Sequence, residues 1–407
     1  MSDGFIIDSI KEELLEEMRQ DGRQLVIYPA NKIGRRVAQI CQDAGLTIAA
    51  WADDDVAKDG TEIDGIKSYT PANCLRKYPD ASLIIAFYAA FSKGLEFYHK
   101  GVRKFYFARE LVFDTMPSGH DGRYALTDEE YCNFSAVFST RSLFQTGFRT
   151  LPYVSMAITE YCSLNCEDCS QMMPYYNSKR HYPMEELIQD VDYLLDYIPG
   201  LDDFSLVGGE PLVHPEWWKL VNYLDLFDKI QTIRVITNGT VIPRDEILAQ
   251  LSKRKLMFYV SGYNITEKNH KKLSEILTSH KIWHYIFRYP DDLSWCKINQ
   301  PKKYNRTPKQ NKAVYKACEQ KYCYNYSQGK LYKCYYGVPC VQLNLVPSDV
   351  EGYIDFRELH KNGVSKEEAL NLISEYITTK EPLELCDYCD GPLCKEYVKP
   401  GKQLKRK

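Results

Sequence analysis

"YVSMAITEYCSLNCEDCS", residues 153–170, decides how the rest of the chain is read. It opens with an apolar run of the length of a buried strand, and a loop follows at once with Cys162, Cys166 and Cys169 at intervals of four and three. A closed tetrahedral zinc site takes four ligands, whereas this loop offers three thiolates. Thiolates are also the usual ligands of iron–sulfur clusters, and a cubane [4Fe–4S] cluster held by three of them keeps one iron open to a small molecule. Zinc with a fourth ligand from elsewhere is the alternative that the spacing alone leaves standing.

Working outward, "MEELIQDVDYLLDYI" has helical periodicity and puts Leu187, Val191, Leu194 and Ile198 on one face. Strand "DFSLV" then ends at Gly208-Gly209-Glu210-Pro211. "EWWKLVNYLDLF", "TIRVITNG", "RDEILAQLS", "LMFYVSGY", "EKNHKKLSEILTSH" and "WHYIFRY" continue the alternation. Five strands, each leading to a helix or a new region, predict an α/β fold with a partial parallel (β/α)6 barrel over residues 151–295. Its chemistry belongs at the C-terminal ends of the strands, where the cysteines, "GGEP" and "TNG" all fall.

An earlier alternation, "RQLVIYPANKIGRRVAQICQDAGLTIAAWADDD" followed by "ASLIIAFYAAF" and "VRKFYFARE", predicts a Rossmann-like α/β domain over residues 1–115, with Val37, Ile40 and Cys41 on one helix face. This stretch resembles the nucleotide-binding-type domain at the front of many sugar-modifying and surface-polysaccharide proteins. The G-x-G-x-x-G fingerprint of such domains is broken here. Pro29 and Asn31 stand where the first two glycines belong and only Gly34 survives, so the backbone cannot approach a pyrophosphate closely. Docking, substrate presentation or a structural role replaces dinucleotide binding as the expectation. Residues 116–150 read as a connector. From 296 to 407 the alternation stops, and a region rich in Cys, Tyr and Lys calls for metal staples.

Composition sets the frame. With 407 residues, 44% hydrophobic and 26% charged, the chain is long enough for two or three domains with sizeable cores. A net charge of −3 gives no field for nucleic acid, and the one basic run, "KPGKQLKRK", reads as a solvated terminus. The beginning lacks a signal-peptide pattern and no segment reaches the ~18 apolar residues of a membrane span, so a cytoplasmic protein without membrane partners is expected. Fourteen cysteines in a reducing compartment point to metal or redox work rather than disulfides. Cys41, Cys74 and Cys132 stand apart and read as buried small residues.

Taken together, "CSLNCEDC", "GGEP" and "ITNGT" resemble the radical S-adenosylmethionine (SAM) superfamily over about residues 150–290. The resemblance implies that Cys162, Cys166 and Cys169 hold a [4Fe–4S] cluster, with SAM chelating the open iron. It also implies that Gly208, Gly209 and Glu210 hold the methionine ammonium, and that Asn238 and Ser261 contact ribose or carboxylate. Asn238 and Ser261 read equally well as turn residues closing strands. Asp168 stands where the family usually has an aromatic residue against adenine, so adenine has to be met by backbone or another side chain. The implied chemistry is reductive cleavage of SAM to a 5′-deoxyadenosyl radical that takes hydrogen from an unactivated C–H bond, fed by a reductant such as flavodoxin or ferredoxin.

Farther on, Cys318, Gly329 and Cys334 give C-x10-G-x4-C, and Cys386 and Cys389 form a close pair. This resembles the SPASM or twitch extension of radical SAM enzymes and implies one auxiliary [4Fe–4S] cluster drawing on Cys318, Cys323, Cys334, Cys386 and Cys389. A second auxiliary cluster would need eight cysteines, a number reached only if Cys296 joins. A zinc knuckle stapling the tail is the alternative. Cys296, Cys340 and Cys394 are read as buried thiols or as hydrogen donors to a substrate radical. The expected substrate is a carbohydrate, nucleotide sugar or related polar metabolite, oxidised, epimerised or rearranged. A peptide maturase or enzyme activator, and a non-catalytic iron–sulfur or zinc scaffold, are the competing readings.

Overall fold

Two alternations of strand and helix form two separate sheets. The computed structural model describes residues 6–87, 90–112, 120–121, 147–289, 292–318, 323–347 and 352–405. The chain divides into two compact units, Met1–Pro117 with Leu126–Phe148 and Ser118–Ala125 with Arg149–Lys407. Cys132 and most of the connector expected over 116–150 lie outside the described residues.

In the first unit, β1 (Leu25–Tyr28), β2 (Ile48–Ala52), β3 (Glu62–Ile63), β4 (Ile66–Tyr69), β5 (Ser82–Ile85) and β6 (Phe105–Phe107) form one sheet in the order β3-β4-β2-β1-β5-β6. Strand β1 pairs in parallel with β2 on one side and β5 on the other, so the order reverses at its end, as in doubly wound folds. Both strands are buried along their whole length, which explains why "LVIY" and "SLII" carry no alternation. The helix Lys32–Asp43 buries Ile33, Val37, Ala38 and Cys41, while Ile40 is partly covered. Gly34 is required by close approach, because a Cβ there would lie 2.1 Å from the Pro29 carbonyl oxygen. The Ala30 amide donates to Asp53 at 3.1 Å and Asn31 caps the helix through the Gly34 amide at 2.8 Å. The turn's donors thus serve the chain itself, in keeping with its broken fingerprint. Cys41 and Cys74 are buried.

The second unit is built on β7 (His120–Asp121), β8 (Val154–Ala157), β9 (Leu201–Val207), β10 (Ile230–Thr237), β11 (Leu256–Gly262), β12 (Trp283–Arg288), β13 (Trp295–Cys296), β14 (Asn325–Ser327), β15 (Lys330–Tyr332), β16 (Tyr353–Asp355) and β17 (Tyr397–Val398). Nine of these make one sheet, β16-β15-β14-β8-β9-β10-β11-β12-β7, and β13 pairs with β17 apart from it. From β14 to β7 every pairing is parallel. The five strands read from sequence are β8 to β12. The helix Met184–Tyr197 buries Leu187, Val191, Leu194 and Leu195, whereas Ile198, expected on the same face, is buried just past the helix end.

The Cys-rich region beyond residue 295 is continuous with this sheet rather than set apart from it. Strand β14 pairs with β8, Asn325 opposite Ser155, and takes the edge that β8 would otherwise leave open. Strands β15 and β16 extend the sheet antiparallel. On one face, Asp203 and Ser205 of β9 meet Arg234 of β10. The Arg234 guanidinium reaches the Asp203 carboxylate at 2.5 Å, and both side chains are buried. Ser205 donates to the same carboxylate at 2.7 Å.

Candidate active site

In a parallel sheet the C-terminal ends of all strands face one edge, so loops far apart in sequence meet there. The end of β9 is pressed against the chain leaving β8. Gly209 and Glu210 donate their amides to the carbonyls of Thr159 and Tyr161, both at 2.8 Å. A Cβ on Gly208, which has φ of +132°, would lie 2.4 Å from the Thr159 oxygen, and one on Gly209 would lie 2.0 Å from the Tyr161 oxygen. The two glycines are thus needed for close packing against the entry to the cysteine loop. Any side chain there would displace the main chain at Thr159 or Tyr161, which leads into Cys162.

Glu210 faces inward, which differs from the expected pairing with an ammonium ion. It is 0% exposed, and its carboxylate accepts from the Leu212 amide (3.2 Å), the Thr237 hydroxyl (2.7 Å) and the Asn238 amide (2.7 Å). The residue ties the end of β9 to the end of β10 and has no open face for a ligand. Burial pushes its carboxyl up from 4.5 to about 7, although those three donors pull the other way. Between these values the folded chain holds a proton that the unfolded chain has lost. Stability from this group is therefore full below the unfolded value and is lost as pH rises through about 7, roughly 3 kcal/mol in all. Urea unfolding of the metal-free chain at about pH 5 and pH 8 is expected to show this fall, and Glu210→Gln to flatten it. Identical slopes in the two proteins would mean that burial does not govern this proton.

The three thiols of the loop are half-buried, and burial raises each of them, Cys162 to about 12 and Cys166 to about 11. Donors oppose that trend at every sulfur. Cys162 receives the Leu164 amide, with the Asn238 side-chain amide at 3.6 Å. Cys166 receives the Gln403 side-chain amide at 3.2 Å, and Cys169 the backbone amides of Met173, Gln171 and Met172. Thiols so placed stay protonated until a metal displaces the proton, and N–H donors then stabilise the thiolate. This donor set fits an iron–sulfur cluster. Among the described residues, no three His, Cys, Asp or Glu side chains are grouped to hold a single ion.

Asn238 also donates to Ser163 (3.1 Å) and accepts from the Thr240 amide (2.9 Å), so it braces the loop instead of standing open. Ser261 is buried at the end of β11 beside Tyr263, whose ring stacks on Tyr289 with centroids 5.1 Å apart and meets Trp295 edge-on. Burial holds the Tyr263 hydroxyl well above its ordinary range, and the ring lies against Gly401 of the C-terminal segment.

Two features of the site escaped the sequence reading. Asp168, buried with φ of +57°, accepts from the amides of Ile298 and Asn299 and from the Asn299 side chain at 2.9–3.1 Å. Asp168 thus anchors the chain after β13. Within the C-terminal basic run, expected to be solvated, Lys402–Leu404 are instead laid along the cysteine loop. Glu167 donates its amide to Lys402 (2.7 Å), Leu404 donates to Asn165 (2.8 Å), and Cys166 and Gln403 form an antiparallel bridge. Main-chain pairing holds this segment, and charge pattern carries no signal of it.

Cys334, Tyr335 and Cys389 pack against one buried cluster that includes Tyr336, Leu385 and Tyr388, where burial holds the Tyr335 hydroxyl well above its ordinary range, and Cys318 and Cys323 are half-buried. Cys386 lies on the same turn as Cys389, and Arg306 donates to the carbonyls of both (2.9 and 3.0 Å). Cys340 is buried in the core and Cys394 donates to the Glu396 carbonyl, while Cys296 is half-buried.

Residues 156–278 match the model of the Radical SAM superfamily. A 106-residue stretch is 31% identical to human molybdenum cofactor biosynthesis protein 1, covering 26% of this chain and 16% of that one. A 104-residue stretch is 25% identical to GTP 3′,8-cyclase of Lactiplantibacillus plantarum, covering 25% and 31%. The match spans less than a third of either relative. Among solved structures, BtrN in complex with AdoMet and 2-DOIA is similar at 13% identity and a TM-score of 0.37, over 62% of this chain and 98% of that one.

Proposed function

We propose that this chain, which carries a radical SAM domain, is an enzyme that cleaves S-adenosylmethionine at the Cys162–Cys166–Cys169 loop and takes hydrogen from a small polar metabolite. The observation that carries this reading is the loop itself: three half-buried thiols at the C-terminal edge of a parallel sheet, each with an N–H donor aimed at its sulfur. A [4Fe–4S] cluster, when bound, supplies the electron that splits SAM into methionine and the 5′-deoxyadenosyl radical. The chain's own residues hold, orient and shield. Cys162, Cys166 and Cys169 would hold that cluster. Gly208 and Gly209 fix the turn beside them, where main-chain carbonyls are the right polarity for an ammonium ion. Glu210 and Asn238 lock the strand ends behind the loop, and Tyr263 with its stacked neighbours excludes water on the other side. Four of Cys318, Cys323, Cys334, Cys386 and Cys389 would supply the ligands of an auxiliary cluster.

For the substrate we favour a nucleotide or nucleotide sugar over a peptide. Relatives similar to the radical SAM stretch are named for work on GTP. Reconstituted protein is expected to form 5′-deoxyadenosine faster when a nucleoside triphosphate or nucleotide sugar is present, and ring-deuterated substrate should transfer deuterium into it. Acceleration by a peptide and by no nucleotide would overturn this choice.

A further inference from the structure

We propose that Gln403 is a positioning residue that sets the redox poise of the cysteine loop, with the C-terminal strap Lys399–Leu404 as its carrier. The inference rests on the reading of Cys166 as a cluster ligand.

Both ends of the Gln403 side chain are engaged. Its Nε2 donates to the Cys166 sulfur at 3.2 Å and to the Gly401 carbonyl at 2.7 Å, and its Oε1 accepts from the Asn165 amide at 2.7 Å. One amide therefore grips the loop's main chain and its thiol together. The strap has its own anchors on each side of this contact. Before it, Val398 pairs with Trp295, and Gly401 lies against the Tyr263 ring, where a Cβ would come within 2.8 Å of Cγ. Along it, the main-chain bonds to Asn165 and Glu167 are joined by an ion pair, Lys402 to Glu167 at 2.7 Å, and Lys297 reaches the same carboxylate at 3.2 Å. Each main-chain bond contributes about 0.5–1.5 kcal/mol net, enough in sum to hold an extended segment in place.

An N–H donor on a ligating thiolate stabilises the more negative, reduced state of an iron–sulfur centre and so raises its potential. Gln403→Glu separates the two functions of the side chain. It keeps an acceptor for the Asn165 amide, removes the donor to sulfur and adds a negative charge. Gln403→Ala removes both.

The test is an EPR-monitored redox titration of the reconstituted full chain, following the signal that changes when SAM is added, beside iron counts and hydrogen exchange of residues 165–167 in the metal-free chain. In Gln403→Glu the potential is expected to move to more negative values with iron content and exchange unchanged. In Gln403→Ala it is expected to move the same way, with faster exchange at 165–167. Unchanged potentials in both variants, with the cluster intact, would overturn the proposal. Failure of the wild-type chain to show any SAM-responsive signal would instead overturn the reading of Cys166 as a ligand, and the inference with it.

Discussion

Replacing Cys166 with alanine is expected to abolish reductant-dependent formation of 5′-deoxyadenosine. Residues that merely support a metal ligand typically cost about 10–100-fold in affinity or activity when removed, and a ligand costs more, so the loss should exceed roughly 100-fold. The reason is geometric as well as chemical. Cys166 sits midway along the loop, with its sulfur reached by Gln403. Two thiols cannot hold three corners of a cubane. Cys340→Ala provides the contrast, because Cys340 is buried in the cluster of Met172, Tyr336, Val346, Leu385 and Tyr388 and is not one of the three loop thiols. That variant should keep forming the product. Anaerobic reconstitution and chromatography of the nucleoside product check both, and full activity in Cys166→Ala would end the assignment.

Asp203→Ala is expected to be the most damaging single change to stability. The carboxylate meets Arg234 at 2.5 Å with side-chain exposures of 0% and 1%, and stitches β9 to β10, whose C-terminal ends carry Gly208–Glu210 and Asn238. Removing one partner leaves a buried charge uncompensated, at about 3–5 kcal/mol. The double change Asp203→Leu with Arg234→Met should recover most of that loss, because well-packed apolar groups replace a buried ion pair at little cost. Urea unfolding of the two variants gives the comparison. A loss under about 1 kcal/mol in Asp203→Ala would show that water reaches the pair.

The parallel core was legible because its strands are buried on both faces, so β1 and β5 appear in the sequence as plain apolar runs. Helical periodicity likewise placed Leu187, Val191 and Leu194 correctly. Strand β14 was not legible: it has three residues, too few to show a period, and its partner Ser155 is 170 residues away. Glu210 was assigned an outward task by resemblance, but only the arrival of Thr237 and Asn238 reveals that its carboxylate is a clamp between strands. Asp168 behaves in the same way, since its partner Asn299 lies 131 residues on. Gln403 lies in a run whose charges describe a solvated tail, whereas the contacts that matter are a main-chain ladder and one uncharged amide. Local pattern reports burial and periodicity well, and contacts made across the fold by single polar side chains leave no local trace.

The central claim is that three thiols hold a cluster whose remaining iron is open to SAM. Electron–nuclear double resonance on the reduced, reconstituted protein, with SAM labelled with 15N at its amino group, tests this most directly. A resolved 15N coupling in the wild-type chain, absent from Cys166→Ala, is the result expected. A wild-type chain that binds the full complement of iron and shows no coupling to the labelled nitrogen would contradict it.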